Sequence, residues 1–319
     1  MGKLRTLGLA LAAGVAALPF IAQAKEAAAA PTHGEQIIHV PDFADFLAPD
    51  GDSVWATNKG RVERWTRDKG KTAEVAIAEP CGAMVIADGG LWVIDCKGGT
   101  LNRIDLETAK LVATIPTGVA KLAKSELQLA AGAGSVWIAS DATGKVSRVD
   151  TATNEVVATI AVDPETSYLT FGFDAAWAIS LPAQTIQRID PVTNTVTKRT
   201  ALGAAPGFSA AGEGAVWVQE QGDGTLARID PASGEVTGRV KVGKVLKWGD
   251  IDTGAGAVWL RTTEDQTFVA IDAATLAIKA RVGKPEGSGA LRYTPAGLWT
   301  SAHDVHTLTW WPDPEKIVK

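Results

Sequence analysis

The stretch of residues 126–162, ELQLAAGAGSVWIASDATGKVSRVDTATNEVVATIAV, decides the fold of this chain. Turn segments rich in Gly, Asp, Asn and Thr divide it into four short segments of apolar and β-branched residues: 127–131, 135–139, 145–149 and 155–160. Val, Ile and Thr favour strands, whereas Gly, Asn and Asp favour tight turns. The stretch therefore predicts one four-stranded antiparallel unit in which consecutive strands pair.

Trp137 lies in the second of these segments and belongs to a series of seven tryptophans spaced by 37 to 45 residues. The series is Trp55, Trp92, Trp137, Trp177, Trp217, Trp259 and Trp299. An aspartate follows thirteen residues after each of the first six, whereas the length between each aspartate and the next tryptophan varies. A period of about 40 residues with several short strands per unit is typical of a β-propeller. We therefore predict an all-β, seven-bladed β-propeller of four-stranded antiparallel blades, with the tryptophans packed between blades.

The two ends of the propeller are expected to meet in one blade. The seventh repeat ends in Pro312-Asp313-Pro314, and proline is a poor residue for a further paired strand. Residues 36–40 read as a lone strand with no blade of their own. The sequence therefore predicts a ring that is closed by the N-terminal strand, as the outer strand of the last blade.

The N-terminus has the pattern of an export signal. Lys3 and Arg5 precede an apolar run over residues 7–21, and Ala22-Gln23-Ala24 fits a small-x-small cleavage site. We predict a signal peptide at 1–24, a disordered leader at 25–34 and the propeller at 35–319. The mature protein is expected to be periplasmic or secreted after Sec-type export, with no membrane insertion.

The charge balance argues against some classes of partner. Beyond residue 24 the chain carries 29 Lys and Arg against 36 Asp and Glu, a formal charge of −7. An acidic chain without a basic patch does not favour nucleic acid or anionic membranes as partners. The acidic charge and the lack of a large apolar stripe also favour a monomer.

Cys81 and Cys96 are the two cysteines of the chain, and both fall in the second repeat. They would lie almost opposite each other in the predicted hairpin, and in an oxidising compartment a disulfide is the expected outcome. No histidine clusters with them in sequence, which disfavours a metal site.

The sequence VSRVDTATNEVVATI, residues 146–160, strongly resembles the YVTN-type propeller repeats of secreted bacterial and archaeal proteins. The Gly-Leu-Trp and Ala-Val-Trp hairpins resemble those of streptogramin-lyase-like propellers, and the resemblance covers about residues 36–311. Streptogramin lyases carry Thr-Glu-His just past the tryptophan; here Glu220 takes the Glu position of the fifth repeat and His303 the His position of the seventh, and no single repeat has both. The resemblance implies a lyase or hydrolase alternative in which His303 and Glu220 abstract a proton across the channel.

Candidate ligand-binding residues follow from the geometry of a propeller, in which the loops entering first strands and leaving second strands share one face. Nine residues before each tryptophan the chain varies, with Phe46, Ala83, Gln128, Tyr168, Phe208, Asp250 and Ala290. The neighbouring position, eight before, is nearly uniform and apolar, which predicts core. A rim that differs from blade to blade is what a specific pocket needs. The candidate set is Tyr168, Asp250, Gln128, Phe208, Trp248, Arg261 and Glu264.

The argument for a ligand-binding role is stronger for some of these residues than for others. Packing against neighbours is the simpler explanation for Phe46 and Phe208, whereas the polar ends of Tyr168 and Asp250 favour a binding role. The connector 117–126 is the longest and could form a helical turn or a flap over the mouth.

We therefore predict a propeller that binds a small ligand or an envelope protein at its channel mouth without catalysis. The alternatives are the lyase or hydrolase with His303 and Glu220, and a scaffold of an envelope complex. No cofactor is predicted, and a divalent cation enters only under the lyase alternative.

Overall fold

The computed structural model describes residues 1–2, 33–246, 249–262, 266–285 and 287–319. Nearly all of the predicted signal peptide and most of the predicted leader lie outside this range, as do Trp248 and Glu264 of the candidate set. Thr32–Lys319 is one compact unit, and it is an all-β propeller of seven four-stranded antiparallel sheets. The predicted fold class is confirmed.

Six blades are formed by strands that follow one another along the chain, each running from the channel outward. Blade 1 contains β2 (Leu47–Asp50), β3 (Ser53–Asn58), β4 (Arg61–Thr66) and β5 (Gly70–Ala76); blade 2 contains β6 (Val85–Ala87), β7 (Gly90–Asp95), β8 (Thr100–Asp105) and β9 (Lys110–Pro116); blade 3 contains β10 (Leu129–Gly132), β11 (Ser135–Ser140), β12 (Lys145–Asp150) and β13 (Glu155–Ala161). Blade 4 contains β14 (Thr166–Gly172), β15 (Ala175–Ser180), β16 (Thr185–Asp190) and β17 (Thr195–Ala201); blade 5 contains β18 (Pro206–Gly212), β19 (Ala215–Glu220), β20 (Thr225–Ile229) and β21 (Val236–Lys241); blade 6 contains β22 (Asp250–Gly254), β23 (Ala257–Arg261), β24 (Phe268–Asp272) and β25 (Ile278–Val282).

Blade 7 joins the two ends of the chain. Its inner strands are β26 (Leu291–Thr294), β27 (Gly297–Ala302) and β28 (Thr307–Pro312), and its outer strand is β1 (Gln36–His39). β1 pairs antiparallel with β28, with Gln36 opposite Trp310 and His39 opposite Thr307. The predicted closure of the ring is confirmed. A short helix that the sequence analysis did not predict, α1 (Pro314–Val318), follows β28.

The seven repeated tryptophans are fully buried on the second strands. In blades 2 to 6 the indole N–H donates to the carbonyl five residues earlier, as from Trp137 to Gly132 at 3.1 Å and from Trp217 to Gly212 at 2.9 Å. The hydrogen bond fixes the ring across the hairpin while its faces pack between blades. Their constancy is therefore explained by packing.

Arginines opposite the tryptophans of blades 1, 2, 3 and 5 donate hydrogen bonds to the following blade. Arg148 lies opposite Trp137, and its guanidinium donates to Pro191 and Asn194 of the following blade. Arg103 makes the equivalent contacts to Thr151 and Asn154. Charged, multi-donor side chains suit this role because one guanidinium can satisfy several carbonyls.

The aspartates thirteen residues after the tryptophans build the turns between third and fourth strands. Asp150 Oδ1 accepts hydrogen bonds from the N–H groups of Thr153 at 2.8 Å and Ala152 at 2.9 Å. These bonds hold the pKa of Asp150 below its ordinary value. The same turn recurs at Asp105, Asp230 and Asp272.

Cys81 and Cys96 form a disulfide with their Cα atoms 5.9 Å apart. The predicted pairing is confirmed. Gly82, next to Cys81, crosses the entering segment of blade 3 so closely that a Cβ there would lie 1.7 Å from the Leu127 carbonyl oxygen. Only glycine fits this crossing, where the Ala83 N–H donates to the same carbonyl at 3.0 Å. No helix in the part of the chain described is both long and apolar enough to cross a bilayer.

Candidate ligand-binding site

A cavity of about 440 Å³ opens at the channel mouth, where first strands begin and second strands end. Five of the seven variable positions nine residues before the tryptophans line it. These are Phe46, Tyr168, Phe208, Asp250 and Ala290. We call this space the mouth cavity. The remaining two positions, Ala83 and Gln128, line a second cavity of about 310 Å³ within the channel, which shares Asp250 with the first.

One wall of the mouth cavity is aromatic. The rings of Tyr168 and Phe208 meet edge to face with centroids 4.9 Å apart. Phe208 and Phe46 are buried among their neighbours, while Tyr168 is partly exposed. Burial raises the pKa of the Tyr168 phenol, with the charges of Glu126 and Asp141 acting in the same direction. The hydroxyl thus stays protonated, and it makes no hydrogen bond to any residue that the structure describes.

Carboxylates are the most numerous charged groups of the lining. Asp250 is buried and ion-paired with Arg292 of blade 7, and its Oδ1 accepts from the Ile251 N–H at 2.9 Å. Burial nevertheless raises the pKa of Asp250, and Arg292 opposes that rise. Asp141 is also buried, and it accepts from the Leu122 N–H at 2.8 Å and from Ser167 Oγ at 3.3 Å.

Asp45 and Glu126 differ from these anchored acids. Burial raises the pKa of Asp45 well above its ordinary value, and the charges of Glu126, Asp250 and Asp304 add to the rise. Removal from water also raises the pKa of Glu126, together with the charge of Asp250, while Lys121 opposes it. Neither residue was in the predicted set, although both line the cavity.

The long connector 117–126 lies along the rim of the mouth cavity. Its Ala120 N–H donates to Ser140 Oγ at 2.9 Å, and Asp141 holds Leu122. A single turn follows, closed by the hydrogen bond from the Ser125 N–H to the Leu122 carbonyl at 3.2 Å. Residues 122–126 line the cavity, so the segment has the position of a flap, one of the two predicted forms.

His303 lies beside the mouth cavity in a chain of hydrogen bonds. Its Nε2 is 2.6 Å from Ser288 Oγ, and its Nδ1 is 2.6 Å from Asp304 Oδ1. The imidazole stacks on Phe43 with centroids 4.4 Å apart. Burial lowers the pKa of His303, with Arg261 and His306 acting in the same direction and Asp304 opposing. Ser288 is also a lining residue of the mouth cavity.

His303 and Glu220, the two residues of the lyase alternative, make no contact with each other among the described hydrogen bonds and ion pairs. Glu220 is the last residue of β19 and fully buried, and its carboxylate accepts two hydrogen bonds from Arg239 Nε, at 2.9 and 3.1 Å. It also accepts from Thr225 Oγ1 at 2.6 Å and from the Gly203 N–H at 2.7 Å. Burial raises the pKa of Glu220, but these donors outweigh it and hold the pKa below its ordinary value. All these contacts lie within blade 5 and the segment that enters it.

Two further predicted residues bind neighbouring blades to each other. Arg261 is buried and donates to the carbonyls of Thr262 and Thr267 at 2.7 Å and of Gly287 at 2.9 Å. The side chain of Gln128 accepts from the Leu169 N–H of blade 4 at 3.1 Å. Both lie close to the channel, where they hold entering segments in place.

Comparison with known proteins supports the fold of this chain but does not assign it to a family. No protein-family model matches the chain, and no curated protein matches it. Among solved structures, streptogramin B lyase superposes with a TM-score of 0.72 at 14% identity, over 86% of this chain and 97% of the other. Virginiamycin B lyase from Staphylococcus aureus gives a TM-score of 0.72 at 16% identity, over 86% of this chain and 98% of that chain. BamB from Moraxella catarrhalis gives 0.64 at 17% identity, over 85% of each chain. At such identities the likeness concerns the fold alone: this chain has the seven-bladed propeller fold of streptogramin B lyase.

Proposed function

We propose that this protein is a periplasmic or secreted propeller that binds a small organic molecule in the mouth cavity. The observation that carries the proposal is the match between the cavity lining and the positions that vary between blades. Five of those seven positions converge on about 440 Å³, a volume in the range of small-molecule sites. The rest of the scaffold repeats, so the cavity is where this chain departs from its own pattern.

The predicted signal peptide and the disulfide support the proposed location. Disulfides persist in oxidising compartments such as the periplasm and the extracellular space. Cys81 also lines a third cavity, of about 450 Å³, which adjoins the mouth and shares Asp45 and Glu126 with it. The disulfide therefore secures the segment that enters blade 2 next to the site.

Three aromatic probes of similar size test the binding proposal: benzyltrimethylammonium, benzyl alcohol and benzoate, followed by ligand-observed NMR. We expect at least one to bind and its binding to be lost in Phe208→Ala. Phe173→Ala is the matched control, since Phe173 is exposed in the hairpin turn of blade 4. Should Phe208→Ala fail to fold, Leu181→Ala removes an exposed side chain of the same lining.

The proposal fails if none of the three probes binds, or if both lining variants bind as the wild type does. If the cavity binds no probe and the propeller instead captures an envelope protein, the result would support the scaffold alternative.

A hydrolytic role at the same mouth is a second candidate, favoured by the chain Ser288–His303–Asp304. A neutral imidazole can accept the proton of a serine hydroxyl, and a carboxylate on its other nitrogen stabilises the imidazolium that forms. The lowered pKa of His303 favours the neutral form near pH 7. In this candidate Asp304 takes the place that the sequence analysis gave to Glu220.

A fluorophosphonate probe tests the candidate. An activated Ser288 would form an Oγ–P bond as the P–F bond breaks, fluoride would leave, and the hydroxyl proton would pass to His303 Nε2. Mass spectrometry should then find the adduct on Ser288, and it should disappear in His303→Gln. A wild-type protein left unlabelled under conditions that label trypsin excludes this role.

A further inference from the structure

The described lining of the mouth cavity is strongly acidic. It carries five carboxylates and one lysine, the exposed Lys124. The carboxylates belong to Asp45, Glu126, Asp141, Glu165 and Asp250. Arg292 neutralises Asp250 from the channel side, and Lys121 lies 3.6 Å from Glu79 outside the cavity. Four carboxylates thus remain against one ammonium group.

Asp45 is one of three lining carboxylates, with Glu126 and Glu165, that have no side-chain partner among the described residues. Its main chain is fixed, because its N–H donates to the Thr57 carbonyl at 3.2 Å and its carbonyl accepts from Ser301 Oγ at 2.5 Å. Its carboxylate makes no hydrogen bond and no ion pair with any residue within the described ranges. Its side chain is only partly exposed, and removal from water is the largest cause of its raised pKa. A partly buried, unpaired carboxylate is costly, and a bound cation would relieve that cost.

The walls around Asp45 decide between an organic cation and a metal ion. Metal sites bring several oxygen or nitrogen ligands together around one point. Among the residues that the structure describes, no three His, Cys, Asp or Glu side chains are grouped closely enough to hold a metal ion. Instead the carboxylates are distributed around the apolar surfaces of Phe46, Tyr168 and Phe208. Aromatic faces with nearby carboxylates are the usual surroundings of substituted ammonium groups.

We propose that the mouth cavity binds an organic cation, a substituted or quaternary ammonium compound that also carries an apolar group. This inference rests on the proposed binding function and adds the chemical class of the ligand. Asp45 would face the cationic centre, the Tyr168 and Phe208 rings would contact its alkyl groups, and Glu126 would lie on the flap side.

The three probes used above also test this inference, now by isothermal titration calorimetry at pH 8 and low salt. Benzyltrimethylammonium should bind about tenfold or more tightly than benzyl alcohol, and benzoate should bind least, because each 1.4 kcal/mol of charge-assisted contact is a factor of ten. Asp45→Asn should weaken binding of the cation by about five- to tenfold and leave the affinity for benzyl alcohol unchanged. Glu107→Gln is the matched control, an exposed acid in the turn between the third and fourth strands of blade 2.

Different results overturn the two proposals. If benzyl alcohol or benzoate binds as tightly as the cation and its binding depends on Phe208, the result would support the proposed binding function but refute the inference that the ligand is a cation. Unchanged affinity for the cation in Asp45→Asn also refutes it, as does Ca²⁺ binding that displaces the cation and depends on Asp45. Absence of all binding refutes both proposals together.

Discussion

The guanidinium carbon of Arg148 lies 4.9 Å from the centroid of the Trp137 indole, on a side chain that also reaches the next blade. Arg148 donates to Ser135 Oγ at 2.8 Å within its own blade and to Asn194 Oδ1 at 3.0 Å in blade 4. One residue therefore joins the constant tryptophan, its hairpin and the neighbouring sheet. Blades 1 to 5 have an arginine at this register, and those of blades 1, 2, 3 and 5 also donate hydrogen bonds to the following blade.

Arg148→Ala should destabilise the propeller by about 1 to 3 kcal/mol, since it leaves partly buried carbonyls without a donor and removes a cation–π contact. Arg148→Lys should recover only part of this loss, because an ammonium group cannot reach both blades with a planar fork. Urea unfolding measures both changes. Lys145→Ala, an exposed substitution at the start of the same strand, is the control. A loss no larger than that of the control would contradict the inter-blade role.

The N-terminal strand should be needed for cooperative stability. A chain that begins at residue 42 lacks β1, which pairs with β28 and packs Ile38 against the Trp310 cluster. We expect its Tm to fall by about 5 to 10 °C relative to a chain that begins at residue 33, because a domain of this size loses about 2 to 4 °C per kcal/mol. Differential scanning calorimetry compares the two chains. Equal melting temperatures would show that β1 does not hold the ring closed.

The repeat made the scaffold predictable, because a tryptophan at constant register fixes strand order, blade number and the face that each position occupies. It also identified Tyr168, Phe208 and Asp250 as lining residues, since their register relative to the tryptophan places them at the mouth. Asp45 could have been found in the same way. Ten residues before each tryptophan the chain has Gly, Ser or Leu in the other six blades, and Asp45 is the charged exception.

The remaining site residues were missed for different reasons. Glu126 and Ser288 both lie eleven residues before a repeated tryptophan, one position before the register of Asp45 and two before the positions that were compared between blades. Glu220 is still within β19, where Thr225 and Arg239 donate hydrogen bonds to its carboxylate, and its position in the repeat does not reveal these partners. His303 comes one residue further past its tryptophan, beyond the end of β27, and so it is available to Ser288.

Reduction of the Cys81–Cys96 disulfide should lower stability without changing the fold. The bond closes a loop of 15 residues, for which chain entropy predicts about 3 kcal/mol. The double variant Cys81→Ser/Cys96→Ser should lose this amount in urea unfolding, and addition of dithiothreitol should then have no further effect on it. Because the loop enters blade 2 beside Asp45, the variant should also bind benzyltrimethylammonium more weakly. A double variant as stable as the oxidised protein would show that the loop is held by its packing alone.

Asp45→Asn should raise stability at pH 8 while it removes affinity for the cation. The pKa of Asp45 is raised in the folded protein, by burial and by the charges of Glu126, Asp250 and Asp304, above its value in the unfolded chain. The folded state therefore binds the proton more tightly, and stability falls as pH rises from the unfolded pKa, about 4, through the raised value. Asparagine does not ionise, so the variant avoids this loss of stability at high pH. The difference in stability between the variant and the wild type should therefore shrink as the pH is lowered towards 4. Thermal unfolding of wild type and Asp45→Asn between pH 4 and 8 measures the difference, with Glu107→Gln as control. A variant less stable than the wild type at pH 8 would mean that the Asp45 carboxylate stabilises the fold. A variant of equal stability across the pH range would mean that burial of the carboxylate has no cost in free energy.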